Sequence, residues 1–237
     1  MPKVSVCVPA YNAEKTIANA INSILNQTEK DFELIIINDG STDNTEEVVM
    51  QFKDERIMYY KTHHQGIVGA RNFGNNLAKA DILAMQDADD LSLPDRLEKC
   101  YNLFKTDRKI DVLYHGLYAN MWSEQFNCIA RGYVPAQPFD KVRLLKEQYI
   151  PGACVFKKEC WVKKPFRYET QFAFDFSFHL EWAFSGFKYK ALDIGLYEYV
   201  RHANSASITY EKDGRRQQSL KALKEIAKKE YNIELCL

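Results

Sequence analysis

What most constrains the fold of this chain is an alternation, over its first hundred residues, of short apolar runs with segments of helical period. Val4-Ser5-Val6-Cys7-Val8 reads as a first strand, and Leu34 to Ile37 as a second, apolar enough to be buried on both faces. Between them, Ile17, Ala20, Ile21, Ile24 and Leu25 recur at helical spacing within Glu14 to Asn26. Asp43, with Glu46 three residues on, reads as a capping box that opens a helix whose inner face carries Val48, Val49 and Phe52. Ile57 to Tyr60 is a third strand. Gly66 to Lys79 is a helix with Ala70, Phe73, Leu77 and Ala78 on one stripe, and Ile82 to Met85 is the strand after it. Pro94 suits the first turn of a further helix that runs to Lys105. Strands and helices in this order predict βαβ units, hence an α/β fold on a mainly parallel, Rossmann-like sheet flanked by helices.

After residue 110 the pattern changes. Aromatic residues become dense, and Pro135, Pro138, Pro151 and Pro165 interrupt the run, which reads as a second, smaller lobe. No Gly/Ser-rich linker or internal repeat separates the parts, so residues 1–110 and 111–205 are expected to form one compact unit with a tail at 206–237. Within the tail, Arg215 to Tyr231 is a basic helix with Leu220, Leu223, Ile226 and Ala227 on one face. It reads as a helix packed on the domain, with contact to a membrane surface or a partner as the alternative.

The 32 basic and 32 acidic residues cancel, so net charge predicts no nucleic-acid partner and any anionic ligand must be handled locally. No apolar stretch approaches the length of a membrane span, and the first residues lack a signal-peptide core, so a cytoplasmic chain is expected. The six cysteines include no C-x-x-C pair and read as small buried side chains, without a disulfide framework or zinc site.

The chemistry concentrates in Gln86-Asp87-Ala88-Asp89-Asp90, which follows an apolar strand. In extended backbone Asp87 and Asp89 project to one side and Asp90 to the other. Like charges held so close call for compensation, and oxygen ligands at a strand's carboxyl end suit Mg²⁺ or Mn²⁺. The plainer reading is a solvated acidic turn before a helix. A second acidic turn, Asn38-Asp39-Gly40-Ser41-Thr42-Asp43, belongs at the same carboxyl edge, where open α/β sheets bind ligands; there Asp39 can accept from a base or ribose.

These segments, with Pro9-Ala10-Tyr11-Asn12 and Gly69-Ala70-Arg71-Asn72, closely resemble in order and spacing the family-2 glycosyltransferases with the GT-A fold, over roughly residues 3 to 100. The resemblance implies an inverting, metal-dependent enzyme with its nucleotide-sugar half at 1–110 and its acceptor and catalytic half at 111–205. The donor, a UDP-sugar in the first instance, would meet Pro9, Ala10, Tyr11, Asn12, Asp39, Arg71, Asp87 and Ala88. In that scheme Pro9 and Tyr11 pack on the base, Asp39 hydrogen-bonds it, Arg71 reaches base or diphosphate, and Asp87 meets ribose or metal. Asp89 would be the main ligand of Mn²⁺ or Mg²⁺, and His202, in Arg201-His202-Ala203-Asn204-Ser205, would complete the metal or diphosphate site.

In the second half, family members commonly carry an acidic pair before a helix and then a Gly-aromatic-Lys segment. Here Phe174-Asp175 stands at the pair and Gly186-Phe187-Lys188 follows, so the resemblance makes Asp175 the candidate base. Phe174 departs from the pattern. Alternation of Phe172, Phe174, Phe176, Phe178, Leu180, Trp182 and Phe184 argues for a strand; the resemblance argues for a helix, which is the expectation adopted. His63 and His64, next to Gly66, read as loop histidines, with the lining of the donor cleft as the alternative. His115, His179, Trp122, Trp161 and Glu181 read as core or rim residues, with an acceptor pocket as the alternative.

The expected reaction is single displacement at the anomeric carbon, from donor to a saccharide or lipid-linked saccharide hydroxyl. A nucleotidyl or phosphoryl enzyme would carry a Gly-rich phosphate loop after the first strand, and Pro9-Ala10-Tyr11-Asn12 is none. A non-catalytic sugar-nucleotide or partner-binding domain of the same fold is the other rival, and Phe174 is the feature that favours it. The aromatic second half has enough apolar surface to admit a homodimer.

Overall fold

The computed structural model of the chain describes residues 1–123, 128–201 and 213–235. The first half runs β1 (Val4–Ala10), α1 (Ile17–Leu25), β2 (Phe32–Asn38), α2 (Thr45–Met50), β3 (Ile57–Lys61), α3 (Gly66–Leu77), β4 (Ile82–Met85), β5 (Leu91–Ser92) and α4 (Arg96–Thr106). β1, β2 and β3 pair in parallel, and β4 pairs parallel to the other side of β1. Strand side chains alternate between two helical layers. Leu34 and Ile36 join Ile17, Ile21 and Leu97 on one face, while Ile35 and Ile37 join Val68 and Ala70 on the other.

The second half comprises β6 (Val112–Ser123), β7 (Cys128–Val134), α5 (Lys141–Leu144), β8 (Val155–Lys157), α6 (Lys158–Lys163), a 3₁₀ segment (Tyr168–Ala173), α7 (Phe174–Phe184), β9 (Tyr189–Arg201) and α8 (Arg215–Tyr231). The sheet continues through it in the order β3-β2-β1-β4-β8-β6-β9-β5, with β7 on β6. β8 pairs antiparallel to both β4 and β6, whereas β6 and β9 pair in parallel. The sheet is thus parallel across the first four strands and mixed beyond them, with no boundary in its hydrogen bonding between the halves.

Two local expectations are corrected and a third is borne out. Glu46 does not close a capping box: it pairs with Lys61, while Asp43 accepts from the main-chain N–H of Thr45 at 3.1 Å and of Glu14 at 3.0 Å, so it stitches α2 to the loop after β1. The acidic segment is not extended, because residues 88 and 89 form a turn and the Asp90 N–H reaches back to the Asp87 carbonyl oxygen at 3.4 Å. The alternating Phe172–Phe184 segment is helical from Phe174, as the resemblance required. Every residue from Phe176 to Ala183 is buried, so no solvated face remains to impose a helical period on the sequence.

α8 is docked. Its Ser219 Oγ accepts from Phe172 N at 3.2 Å, Leu223 and Ala227 are buried, and Glu230 pairs with Arg167, which also holds Glu181 of α7. No helix among the described residues is long and apolar enough to cross a membrane.

α3 approaches the sheet most closely at Gly74, where a Cβ would overlap Cys7 Sγ and come within 3.2 Å of Ile37 Cγ1. Gly74→Ala is therefore expected to destabilise the fold by about 1–3 kcal/mol through overpacking, despite the gain of about 1 kcal/mol in helix propensity. In a Cys7→Ala background the same change should cost almost nothing, as read from denaturant unfolding midpoints; equal costs in both backgrounds would show that the contact does not limit the approach.

Candidate functional site

The parallel strands β1, β2 and β4 end together, and their carboxyl ends carry Tyr11, Asp39 and the acidic turn. Pro9 belongs to this edge for a backbone reason. Cys7 turns its carbonyl toward β4, where it accepts from Gln86 N at 3.3 Å, and Ala10 turns its own toward Asp39 N at 2.8 Å. Position 9 therefore faces the β4 side beyond the end of that strand, where no ladder partner needs an N–H. Pro9 and Ala10 are buried; Tyr11 is 47% exposed and Asn12 takes a positive φ of 50°. Asn12 ties two loops, its N–H donating to Ser41 Oγ at 3.0 Å and its side-chain oxygen accepting from Thr42 N at 2.8 Å.

Asp39 is 2% exposed, and both of its carboxylate oxygens are engaged. Oδ1 accepts from Gln65 N at 2.8 Å and Oδ2 from Gly66 N at 2.9 Å, so the carboxylate closes the N-terminus of α3. His64 Nδ1 lies 2.9 Å from Oδ2, and the His64 ring stacks on Tyr11. His64 is thus part of the site; its only sequence signal is its place beside Gln65-Gly66, which suits a loop equally well.

One and a half turns into α3, Arg71 is 2% exposed and pairs through Nη2 with Asp87. Its Nε and Nη1 are buried without a hydrogen-bond partner, and the guanidinium lies 5.2 Å from the centre of the Phe174 ring. An aromatic face can hold a cation, so Phe174 supports Arg71 without neutralising it. The next residue, Asn72, bridges to the second half: its amide donates to Phe166 O at 2.8 Å and its oxygen accepts from Trp161 Nε1 at 2.7 Å.

The three carboxylates of the acidic turn occupy different environments. Asp90 is buried, accepts from Val200 N at 2.8 Å, and has its pKa raised well above the carboxylate range by burial and by repulsion from Asp87 and Asp89. Asp87 and Asp89 are half-buried, and Ala88 packs inward on the core. Among the described residues no three His, Cys, Asp or Glu side chains are grouped to hold a metal ion. The turn instead fits a hard cation that takes one or two carboxylates and completes its shell from phosphate and water. His202 lies outside the described residues.

Asp175 is the second residue of α7. Its pKa is raised to about 6, first by burial and then by repulsion from Asp87, against the partial relief of Arg71 and Arg216. Gln148 donates through Nε2 to its Oδ2 at 3.5 Å and accepts through Oε1 from Arg216 Nη2 at 3.2 Å. Gly152 lies flat against the carboxyl group, since a Cβ there would sit 2.8 Å from Oδ2. None of Gln148, Gly152 and Arg216 carries a signal in the sequence; their contacts span tens of residues. A cleft of about 200 Å³ opens beside Gln148, lined also by Leu117, Val134 and Tyr149. A larger hollow of about 530 Å³, at the amino ends of β6 and β9, includes none of the residues of this site.

The other candidates make internal contacts, and His115 also lines the cleft beside Gln148. His115 and His179 are buried with pKa values pushed down to about 3, chiefly by burial. His115 accepts from Arg96 at 2.9 Å, and His179 donates through Nε2 to the Pro151 carbonyl at 3.2 Å. Trp161 serves Asn72, Glu181 pairs with Arg167, and the Trp122 side chain lies outside the described ones.

The model of glycosyl transferase family 2 matches residues 5–179. A chondroitin synthase of Pasteurella multocida is 31% identical over 211 residues, 88% of this chain and 22% of that protein. An uncharacterised glycosyltransferase of Haemophilus influenzae is 38% identical over 122 residues, 50% of this chain and 48% of that one. The chain spans less than half the length of the curated relatives it matches first. Among solved structures, S. aureus TarS 1-349 in complex with UDP-GlcNAc superposes with a TM-score of 0.76 at 20% identity, covering 95% of this chain and 66% of that one. The mannosyltransferase PcManGT of Pyrobaculum calidifontis, in complex with GDP-Man and Mn²⁺, gives 0.67 at 20% identity, with 94% and 64% covered. These neighbours share its GT-A fold, and by the match of the family model this chain belongs to glycosyl transferase family 2.

Proposed function

We propose that the chain transfers a sugar from a nucleoside-diphosphate sugar, a UDP-sugar in the first instance, to a hydroxyl of a saccharide or lipid-linked saccharide, with inversion at the anomeric carbon. The observation that carries this reading is the proximity of a proton-accepting carboxyl, Asp175, to a cation, Arg71, whose charge acts on it and whose Nε and Nη1 have no hydrogen-bond partner among the described residues. A base and a charge for the leaving group are what single displacement requires. The complexes of TarS with UDP-GlcNAc and of PcManGT with GDP-Man and Mn²⁺ support the donor class and the metal.

In this reading Tyr11 and Asp39 hold the base, and Arg71 holds the diphosphate from the side of α3. Asp89, with Asp87 beside it and His202 from the segment beyond β9, would hold Mn²⁺ or Mg²⁺. The bound cation would supply neutralisation of the charge that develops on the departing diphosphate. Asp175, ionised, takes the acceptor's proton as the oxygen attacks. Phe174 leaves Asp175 without a second carboxylate beside it in the chain, and burial, with repulsion from Asp87, keeps its affinity for a proton high.

Calorimetric titration with UDP, GDP, CMP and dTDP tests the donor site. One nucleotide is expected to bind only with Mn²⁺ or Mg²⁺, and Asp89→Ala to weaken it at least about tenfold, the loss of one charge-assisted contact; metal-independent binding would remove Asp89 from this role. A second expectation concerns Asp175. Activity should rise with pH through about 6, and Asp175→Asn should lower turnover by about 10²–10⁴-fold. The folded chain keeps this proton to a higher pH than the unfolded chain does, so ionising the group costs stability, and the cost grows from about pH 4 to about pH 6. Asp175→Asn is therefore expected to stabilise the fold above that range by about 1–3 kcal/mol and to change little near pH 4. Unfolding midpoints at the two pH values check it, and lower stability of the variant at both would contradict the assignment.

A further inference from the structure

The two groups assigned above to the nucleobase are both engaged by one side chain. The imidazole of His64 lies 4.1 Å from Tyr11, centroid to centroid, with 29° between the planes. Its Nδ1 sits 2.9 Å from Asp39 Oδ2 and 3.1 Å from the Asp39 carbonyl oxygen, an acceptor that requires the hydrogen to be on Nδ1. A pyrimidine or purine stacked on Tyr11 with a ring N–H toward Asp39 would present the same two features, a flat ring and a donor, in the same two places.

The backbone brings His64 there. Gly40 has φ of +71°, and a Cβ on it would meet His64 N at 2.8 Å and His64 Cβ at 3.3 Å, so the loops after β2 and β3 close on each other only because position 40 has no side chain. The amides of Gln65 and Gly66 are fixed on Asp39, which anchors the His64 main chain, while the His64 side chain is 53% exposed and has solvent into which to rotate. A separation of 4.1 Å leaves no room for a further ring between His64 and Tyr11.

We infer that His64 is the resident occupant of the nucleobase slot, and that a nucleotide binds only after its ring has rotated out. This rests on the reading of Tyr11 and Asp39 as the base site. His64 then sets the apparent donor affinity by competition within the chain, because only the fraction of molecules with the slot open can bind. It also sets a minimum for any ligand that enters, which must replace both the stack and the polar contact that His64 gives up.

UDP with Mn²⁺, titrated into the wild-type chain and into His64→Ala, tests this. His64→Ala is expected to bind UDP about three- to tenfold more tightly, the range set by removing a competitor that closes most of the slots. In the wild-type chain, the His64 proton resonances, identified by their loss in His64→Ala, should shed the ring-current shift of Tyr11 as UDP is added. Unchanged or weaker binding by His64→Ala, or a His64 ring that stays stacked in the UDP complex, overturns the inference. The base-site reading is checked separately by adding Tyr11→Ala in the His64→Ala background. A loss of UDP affinity there sustains that reading whatever His64 does; no loss removes the base site and the inference together.

Discussion

The cleft depends on a buried cation that meets no carboxylate among the described residues. Arg96, at the start of α4, is fully buried and directs its five N–H groups at His115 Nε2, Gln86 Oε1, Ser92 Oγ and the carbonyl oxygens of Met85 and Ala153. These acceptors come from the ends of β4 and β5, from β6 and from the loop before β8, so one planar fork joins the half that carries the acidic turn to the half that carries Asp175. Only arginine can satisfy so many acceptors in one plane. The charge is carried over the face of Tyr197, 4.8 Å away, whose hydroxyl accepts from Asp87 N at 3.0 Å. Burial and this neighbouring cation keep His115 neutral, and that neutrality lets it accept from Arg96.

With the halves fixed in this way, three successive carboxylates can differ. Asp90 is turned inward and its proton affinity raised, Asp87 is held by Arg71, and Asp89 stays half-exposed. Their proximity would be repulsive in water. Here the repulsion is distributed: part appears in the raised proton affinity of Asp90, part is offset by Arg71, and part acts on Asp175 beside its burial. The high proton affinity of the candidate base and the arrangement of the acidic turn are therefore one electrostatic system.

The sequence was most legible where structure is local. Strands and helices of the first half follow its apolar periods to within a few residues, and the helix expected at Arg215 to Tyr231 spans those residues. The acidic turn was misjudged in geometry because alternation holds only in extended backbone, and the chain bends at Ala88. Phe172 to Phe184 misleads for another reason: a helix enclosed on every side has no polar stripe to report its period. Gln148, Gly152 and Arg216 stayed silent because they act on Asp175 from distant segments, and a lone Gln or Gly has no period or motif. His64 was visible as a residue but not as a partner of Tyr11, 53 positions earlier in the chain, since nothing in the sequence shows which loops meet.

α3 is the element that joins these functions. Its N-terminal amides are held by Asp39, so the carboxyl end of β2 and the start of the helix are one rigid piece. Arg71 leaves it toward Asp87, and Asn72 leaves it toward Trp161 and Phe166 of the second half. Consecutive residues on a helix point about 100° apart, so an Arg-Asn pair there must serve two different surfaces. Gly74, one turn on, sets the helix directly against Cys7 and Ile37 of the sheet, which leaves it little freedom to slide. A ligand that changes the contacts of Asp39 therefore acts on the same rigid body that carries Arg71, and in the proposed reading the occupant of the base site is mechanically linked to the cation assigned to the diphosphate.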